Sequence, residues 1–257
     1  MASRTLSGLQ VVVTRTRAQA SVLRADLERR GAEVIEIAAL ELVDLEGWEA
    51  KVFDVPPWDW TVITSKNAAE RIARQIRSGR GPHEQLGRIA ATGAATARYL
   101  QNYGLSPQLV PERYIAESLA EALIERGVEG ARVVLPRAEV ARAVLPDRLR
   151  AAGAHVVDVP VYRAIIPKDG VQRLRDASGQ EPNLVTFASS KTAHHFAALL
   201  QECELERWMQ VPTAAIGPVT AQAARELGFE VVAIPERHTI ADLVQAIEDW
   251  YRAARDA

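Results

Sequence analysis

The 257-residue chain has a single cysteine, Cys203, so it carries no internal disulfide framework, no CxxC redox pair and no Cys/His zinc spacing. Its five histidines, His83, His155, His194, His195 and His238, fall in neither HExxH nor another metal-ligand pattern. Metal and redox mechanisms are therefore disfavoured. No apolar run is long enough to cross a bilayer. The opening "MASRTLSGLQVVVTR" holds too short an apolar stretch for the core of a signal peptide, so a cytoplasmic location is expected. Neither GxGxxG nor GxxxxGK[ST] occurs, so a nucleotide fingerprint is missing. A net charge of −2 gives no reason to expect nucleic acid or a membrane surface. Lysine is also scarce. Of 31 cationic residues only Lys51, Lys66, Lys168 and Lys191 are lysines, which leaves 27 arginines. Solvated helix faces account for most of them, but the planar guanidinium fork also suits carboxylate and phosphate partners.

What the chain does have is a repeat. "VVVTRTRAQASVLRADLERRGAEVIEI" from Val11 matches "VVLPRAEVARAVLPDRLRAAGAHVVDV" from Val133 at an offset of 122 without a gap, which sets Arg15 on Arg137 and Gly31 on Gly153. "WTVITSKNA" from Trp60 matches "VTFASSKTA" from Val185 at 125, with Ser65 on Ser190 and Lys66 on Lys191. "RIAATGAATARYLQNYG" from Arg88 matches "TAAIGPVTAQAARELG" at 124, with Gly93 on Gly217, Thr96 on Thr220 and Gly104 on Gly228. The chain reads as an internal duplication.

Each copy alternates short β-branched runs such as "QVVVT", "WTVIT" and "FEVVAI" with segments whose apolar residues recur at helical spacing, as Val22, Leu23 and Leu27 do. Gly31, Gly104, Gly153 and Gly228 stand where a C-cap glycine would release a helix into the next strand. Alternation of this kind predicts an α/β fold, two flavodoxin-like parallel-sheet domains covered by helices on both faces. Both copies break after the second strand, at 41–57 and 163–182. The periodicity is compatible with two consecutive domains, and equally with a chain that crosses at these linkers.

In an open parallel sheet, ligands collect beyond the C-terminal strand ends, where helix N-termini offer unpaired N–H groups. The corners here are "VVVTRTR", "VITSKNA", "ATGAATA", "LPRAEVAR", "FASSKTA" and "IGPVTA". They combine hydroxyls, glycine and Arg or Lys, a set suited to several anionic groups. The candidates for ligand contact are Thr14, Arg15, Arg17, Ser65, Gly93, Thr96, Arg137, Ser189, Ser190, Gly217 and Thr220. Plain N-capping also accounts for Thr16, Ser65 or Ser190, and helix–strand packing for the two glycines. Arg15 and Arg137 are more unusual, because each directly follows an apolar strand. Tyr162, at the end of "VVDVPVYR", is compatible with core packing on its residue type alone.

Taken together, the "VTR" opening, "TSKNA", "TGAAT", "PVYR", "FASSKTA" and "AAIGPVTAQAARELG" resemble the uroporphyrinogen-III synthase family in order and spacing over nearly the whole chain. The resemblance implies the crossed arrangement. One domain would comprise residues 1–40 and 168–257 and the other residues 41–167, joined by two linker strands, with the active site in the cleft between them. It implies a cyclising hydro-lyase of tetrapyrrole biosynthesis that closes linear hydroxymethylbilane to uroporphyrinogen III with ring D inverted and water lost, without a cofactor. The family pattern nominates Tyr162 as proton donor to the departing hydroxyl. The strand-end residues would hold the acetate and propionate side chains, so that one folded posture of a flexible substrate closes. A monomer suffices for such a site, and the partners expected are the small-molecule substrate and, transiently, the enzyme of the preceding step. Two other readings stand beside this one. The first, a paired-domain glycosyl or phosphoryl transferase, is disfavoured by the missing phosphate-loop glycines. The second is a non-catalytic bilobal α/β module that binds small anions.

Overall fold

The computed structural model describes residues 4–15 and 17–256, the side chains at positions 17–19 excepted. The chain opens with β1 (Gln10–Val13), α1 (Arg17–Arg29) and β2 (Glu33–Glu36). It continues through β3 (Glu41–Asp44), α2 (Trp48–Phe53), β4 (Trp60–Ile63), α3 (Lys66–Arg77), β5 (Arg88–Ala91), α4 (Ala94–Gln101), α5 (Ala116–Glu125), β6 (Arg132–Ala138), α6 (Val144–Ala151) and β7 (His155–Ile165). It closes with α7 (Lys168–Asp176), β8 (Leu184–Phe187), α8 (Ser190–Glu202), β9 (Thr213–Ala215), α9 (Pro218–Glu226), β10 (Val231–Ala233) and α10 (Ile240–Asp256).

These elements form two compact units. Unit 1 takes the chain up to Glu41 together with the chain from Ile165 onward, and unit 2 is Leu42–Ala164. The sheet of unit 1 runs β10-β9-β8-β1-β2 and that of unit 2 runs β3-β7-β6-β4-β5. In unit 1, β1 pairs in parallel with β2 and β8, and β9 with β8 and β10. In unit 2, β4 pairs in parallel with β5 and β6, and β6 with β7. The α/β class with parallel sheets is thus the one the alternation predicts.

The two-residue period of the strands builds a core on each face of each sheet. In β1, Val11 and Val13 enter the layer with Leu23, Leu27, Leu243 and Ile247, whereas Val12 enters the layer with Phe187, Phe196 and Phe229. In unit 2, Trp60 and Val62 meet Leu119, Leu123 and Leu149, and Ile63 meets Phe53, Ile72 and Leu86. All of these but Phe53 and Phe229 are fully buried, and burial of each large apolar side chain contributes about 1.5–3 kcal/mol. Gly31 and Gly228 follow α1 and α9 with φ of +95°. That left-handed conformation turns each helix into the next strand and favours glycine.

The two segments at which the copies break are largely regular: β3 and α2 fill most of 41–57, and the end of β7 with α7 fills much of 163–182. Trp48, Val52 and Phe53 give α2 an apolar face that packs into the unit 2 core, which is why the segment is helical. The last strand of the first copy shrinks to a single bridge between Ala90 and Leu109, flanked by Pro107 and Pro111, neither of which has an N–H to extend a ladder.

Candidate active site

The strand register sets the corners of each unit. In unit 2, β4 ends at Ile63 level with Ala91 of β5, while Arg137 and Ala138 of β6 stand level with Pro160 and Tyr162 of β7. The C-terminal rim therefore carries Ser65, Gly93, Arg137 and Tyr162. Ser65 caps α3 by accepting a hydrogen bond from the Ala68 N–H at 3.2 Å, and its Oγ also lies 3.2 Å from the Tyr162 hydroxyl. The Tyr162 ring is buried against the unit 2 core, with the Arg71 guanidinium 4.5 Å over it. Gly93 caps α4 in extended conformation, and a Cβ there would lie 2.9 Å from the Tyr114 ring, so glycine permits the close approach. Thr96 is buried in the first turn of α4. The Thr92 hydroxyl is buried and has no hydrogen-bond partner among the described residues.

Arg137 is held within its own unit. Its Nε lies 2.6 Å from Asp158 Oδ1, an ion pair without hydrogen-bond alignment, and one terminal nitrogen donates to the Arg142 carbonyl at 2.7 Å. On α4 the Tyr99 hydroxyl donates to that of Tyr103, just beyond the helix, at 3.5 Å. Tyr99 is pushed up to about 12, chiefly by burial and then by its hydrogen bond to Tyr103.

In unit 1, Val13 of β1 is level with Thr186 of β8, and Phe187 of β8 with Ala215 of β9. Thr14 is fully buried and donates to the Thr186 carbonyl at 2.6 Å, while the Thr186 hydroxyl donates to Val12 O at 3.0 Å. The Thr14 hydroxyl is thus committed to tying the two strands together. Arg15 follows it, half-buried. Its Nε is buried without a hydrogen-bond partner among the described residues, and burial holds the guanidinium below its ordinary value. The Arg17 side chain lies outside the described residues.

Ser189 caps α8 by accepting from the Thr192 N–H at 3.2 Å, and its hydroxyl lies 2.7 Å from that of Thr192. The cap is therefore one residue before Ser190, the residue that sequence matching sets on Ser65. Ser190 instead reaches across to the Val219 carbonyl at 3.2 Å. Gly217 caps α9 in extended conformation with Pro218 beginning the helix, and Thr220 is buried in its first turn. A Cβ at Gly217 would lie 2.9 Å from the His238 ring.

The structure adds residues that the sequence reading passed over. Tyr114 and His238 lie over the two cap glycines, and they are related by the same 124-residue offset as Gly93 and Gly217. That offset is the signal that could have found them. Arg71 and its partner Asp44 are the others, at 2.6 Å between Nη2 and Oδ1. No cluster of metal-ligating side chains occurs among the described residues.

Parallel α/β units whose strand-end corners combine hydroxyls, helix starts and an arginine whose Nε has no hydrogen-bond partner among the described residues define a class suited to an acidic small molecule. Comparison narrows the class. The chain belongs to the uroporphyrinogen-III synthase family: the family model described as "Uroporphyrinogen-III synthase HemD" matches residues 21–245. Uroporphyrinogen-III synthase of Synechococcus elongatus is 32% identical over 98% of this chain and 99% of its own length. That of Chlorobaculum parvum is 26% identical over 88% and 92%. Among solved structures, a mutant uroporphyrinogen III synthase from the extremely thermophilic bacterium Thermus thermophilus superposes with a TM-score of 0.68 over 96% of this chain and 100% of that one, at 19% identity. Uroporphyrinogen-III synthetase from Helicobacter pylori gives 0.60 over 94% and 99%, at 15% identity. At these identities the structural likeness is one of fold. Among the described residues, no helix is long and apolar enough to cross a membrane.

Proposed function

We propose that this chain catalyses the closure of hydroxymethylbilane to uroporphyrinogen III, a cyclising loss of water with inversion of ring D, as a cytoplasmic monomer of the lyase class. Membership of the family supports the reading. The observation that carries it is the Tyr162 hydroxyl held 3.2 Å from Ser65 at the strand-end rim of unit 2. The Ser65 oxygen already accepts from Ala68 N–H. When Ser65 donates its own hydrogen to the Tyr162 oxygen, the phenolic hydrogen is free for substrate.

In this mechanism Tyr162 gives its proton to the terminal hydroxyl, the C–O bond breaks and water leaves, and an azafulvene cation remains. The substituted α-carbon of ring D attacks that cation to form a spiro intermediate. The spiro intermediate fragments and recloses through the other α-carbon. The proton lost as the ring regains aromaticity restores the phenol, so the net change is loss of one water. The substrate can also close by itself without inversion, so the protein's contribution is to fix one conformation. Arg15 and the backbone N–H groups at Ser65, Gly93, Thr96, Ser189, Ser190, Gly217 and Thr220 hold peripheral carboxylates. The arginine acts at the substrate rim, because positive charge beside the azafulvene carbon would oppose its formation.

The test is to add the protein to freshly prepared hydroxymethylbilane and separate the product isomers. An excess of the inverted isomer over the spontaneous one is expected. Tight binding with an unchanged isomer ratio would instead favour the anion-binding module.

A further inference from the structure

We infer that Arg71 is a positioning residue for Tyr162, clamping the ring so that the hydroxyl stays at the rim. The inference rests on the function proposed above. Its physical basis lies within unit 2, in an arrangement that an ordinary surface arginine would not adopt. Arg71 is only 6% exposed, in the middle of α3 between the buried Ala68 and Ile72 on one side and Gln75 on the other. Its guanidinium is fixed at three points: Nη1 donates to the Asn67 carbonyl at 2.9 Å, Nη2 meets Asp44 Oδ1 at 2.6 Å, and Cζ lies 4.5 Å over the Tyr162 ring. Nε has no hydrogen-bond partner among the described residues.

Burying a charge with one donor unsatisfied is unfavourable, so the arrangement persists only where its surroundings over-determine it. Ion pairing to Asp44 and stacking on the ring are the compensations. Together they link β3, α3 and β7. Arg74 also binds Asp44, at 2.7 Å, and so holds the carboxylate for Arg71. At the ring's other end, the Ser65 contact fixes the hydroxyl. The ring is thus held by its face and its tip, by two residues from one helix start and its second turn. A planar guanidinium covers an aromatic face in a way an ammonium does not.

The experiment compares wild type with Arg71→Met and Arg71→Lys, each also in a Tyr162→Phe background. Steady-state closure of hydroxymethylbilane is measured alongside the ring-flip rate of Tyr162 by NMR of protein with ¹³C-labelled tyrosine. Arg71→Met should lower kcat by roughly 10- to 100-fold, as small misplacements of a reacting group do, with KM changed less than about twofold and faster flipping of the Tyr162 ring. Arg71→Lys keeps a charge within reach of Asp44, and should fold even where the methionine variant does not. It should fall between the two in kcat and flip rate. In the Tyr162→Phe background the Arg71 substitutions should change kcat by less than about twofold. Equal losses with and without the Tyr162 hydroxyl, or unchanged ring flipping in a folded variant, would overturn the inference. A wild-type protein inactive on the bilane would refute the proposed function, and the NMR comparison would still decide whether Arg71 holds the ring.

Discussion

Replacing Arg15 with methionine should make the protein more stable and a worse binder. The guanidinium sits half-buried at the end of β1, its Nε buried and without a hydrogen-bond partner among the described residues, and burial lowers its pKa. An unsatisfied buried donor costs about 1–3 kcal/mol. Arg15 keeps part of its surface in water, so the lower end applies, about 0.5–1 kcal/mol after discounting for solvent. Methionine keeps most of the side chain's length without the charge, so that cost disappears. For a chain of this size each kcal/mol moves Tm by about 2–4 °C, and a rise of about 1–4 °C is expected in the absence of substrate. The opposite sign applies to binding. A hydrogen bond to a charged group contributes about 1.5–3 kcal/mol, so KM for the bilane should rise by roughly 10- to 100-fold while kcat moves much less. Thermal unfolding by differential scanning and steady-state kinetics check the two halves independently. If Arg15→Met lowers Tm and leaves KM unchanged, the side chain has an internal structural role and the reasoning from its orphaned nitrogen is wrong.

Tyr162→Phe should lower kcat more than it raises KM, because the ring stays packed while the proposed proton donor is lost; an unchanged kcat in the closure assay removes its assigned role. Arg137→Ala should cost unit 2 about 1–3 kcal/mol, measured by urea unfolding, because it leaves Asp158 with only Arg150, 3.1 Å away. Its effect on KM should be smaller than that of Arg15→Met. For His195, burial first, then Lys191 and His194, lower the pKa. The unfolded chain therefore takes up a proton there more readily than the folded one, and stability falls as pH drops below about 6.5. His195→Asn should flatten that part of the Tm profile between about pH 6.5 and 5, and a profile identical to wild type contradicts the assignment.

Much of the fold was legible because strand period and helix period speak directly to burial. Val11 and Val13 against Val12, and Leu23 with Leu27, sort to the layers their spacing dictates. Helix-ending glycines were legible too, since a left-handed φ favours that residue. The linkers were not. Positions 41–57 read only as a break between strands, and nothing local shows that Trp48, Val52 and Phe53 gain enough by burial in the unit 2 core to order a short helix.

At the site, residue type marked the corners but not the partners. Arg15 and Arg137 occupy matched positions in the repeat, yet the Nε of one has no hydrogen-bond partner among the described residues and the other is held by Asp158, a contact made across neighbouring strands that no local pattern encodes. Arg71 sits in "KNAAERIARQIR", where an arginine reads as solvent-facing. Its burial follows from Asp44 and Tyr162, which are distant in sequence. Tyr114 and His238 were within reach of the sequence, because the repeat offset links them as it links the glycines they cover.

The most direct test of strand-end donors enforcing one posture on an acidic bilane is a single-turnover experiment. Fresh hydroxymethylbilane is mixed with increasing protein, quenched within seconds, and the two macrocycle isomers are quantified. The inverted isomer's share should climb towards the whole of the product as protein exceeds substrate, and a share that stays at the protein-free level would contradict the account.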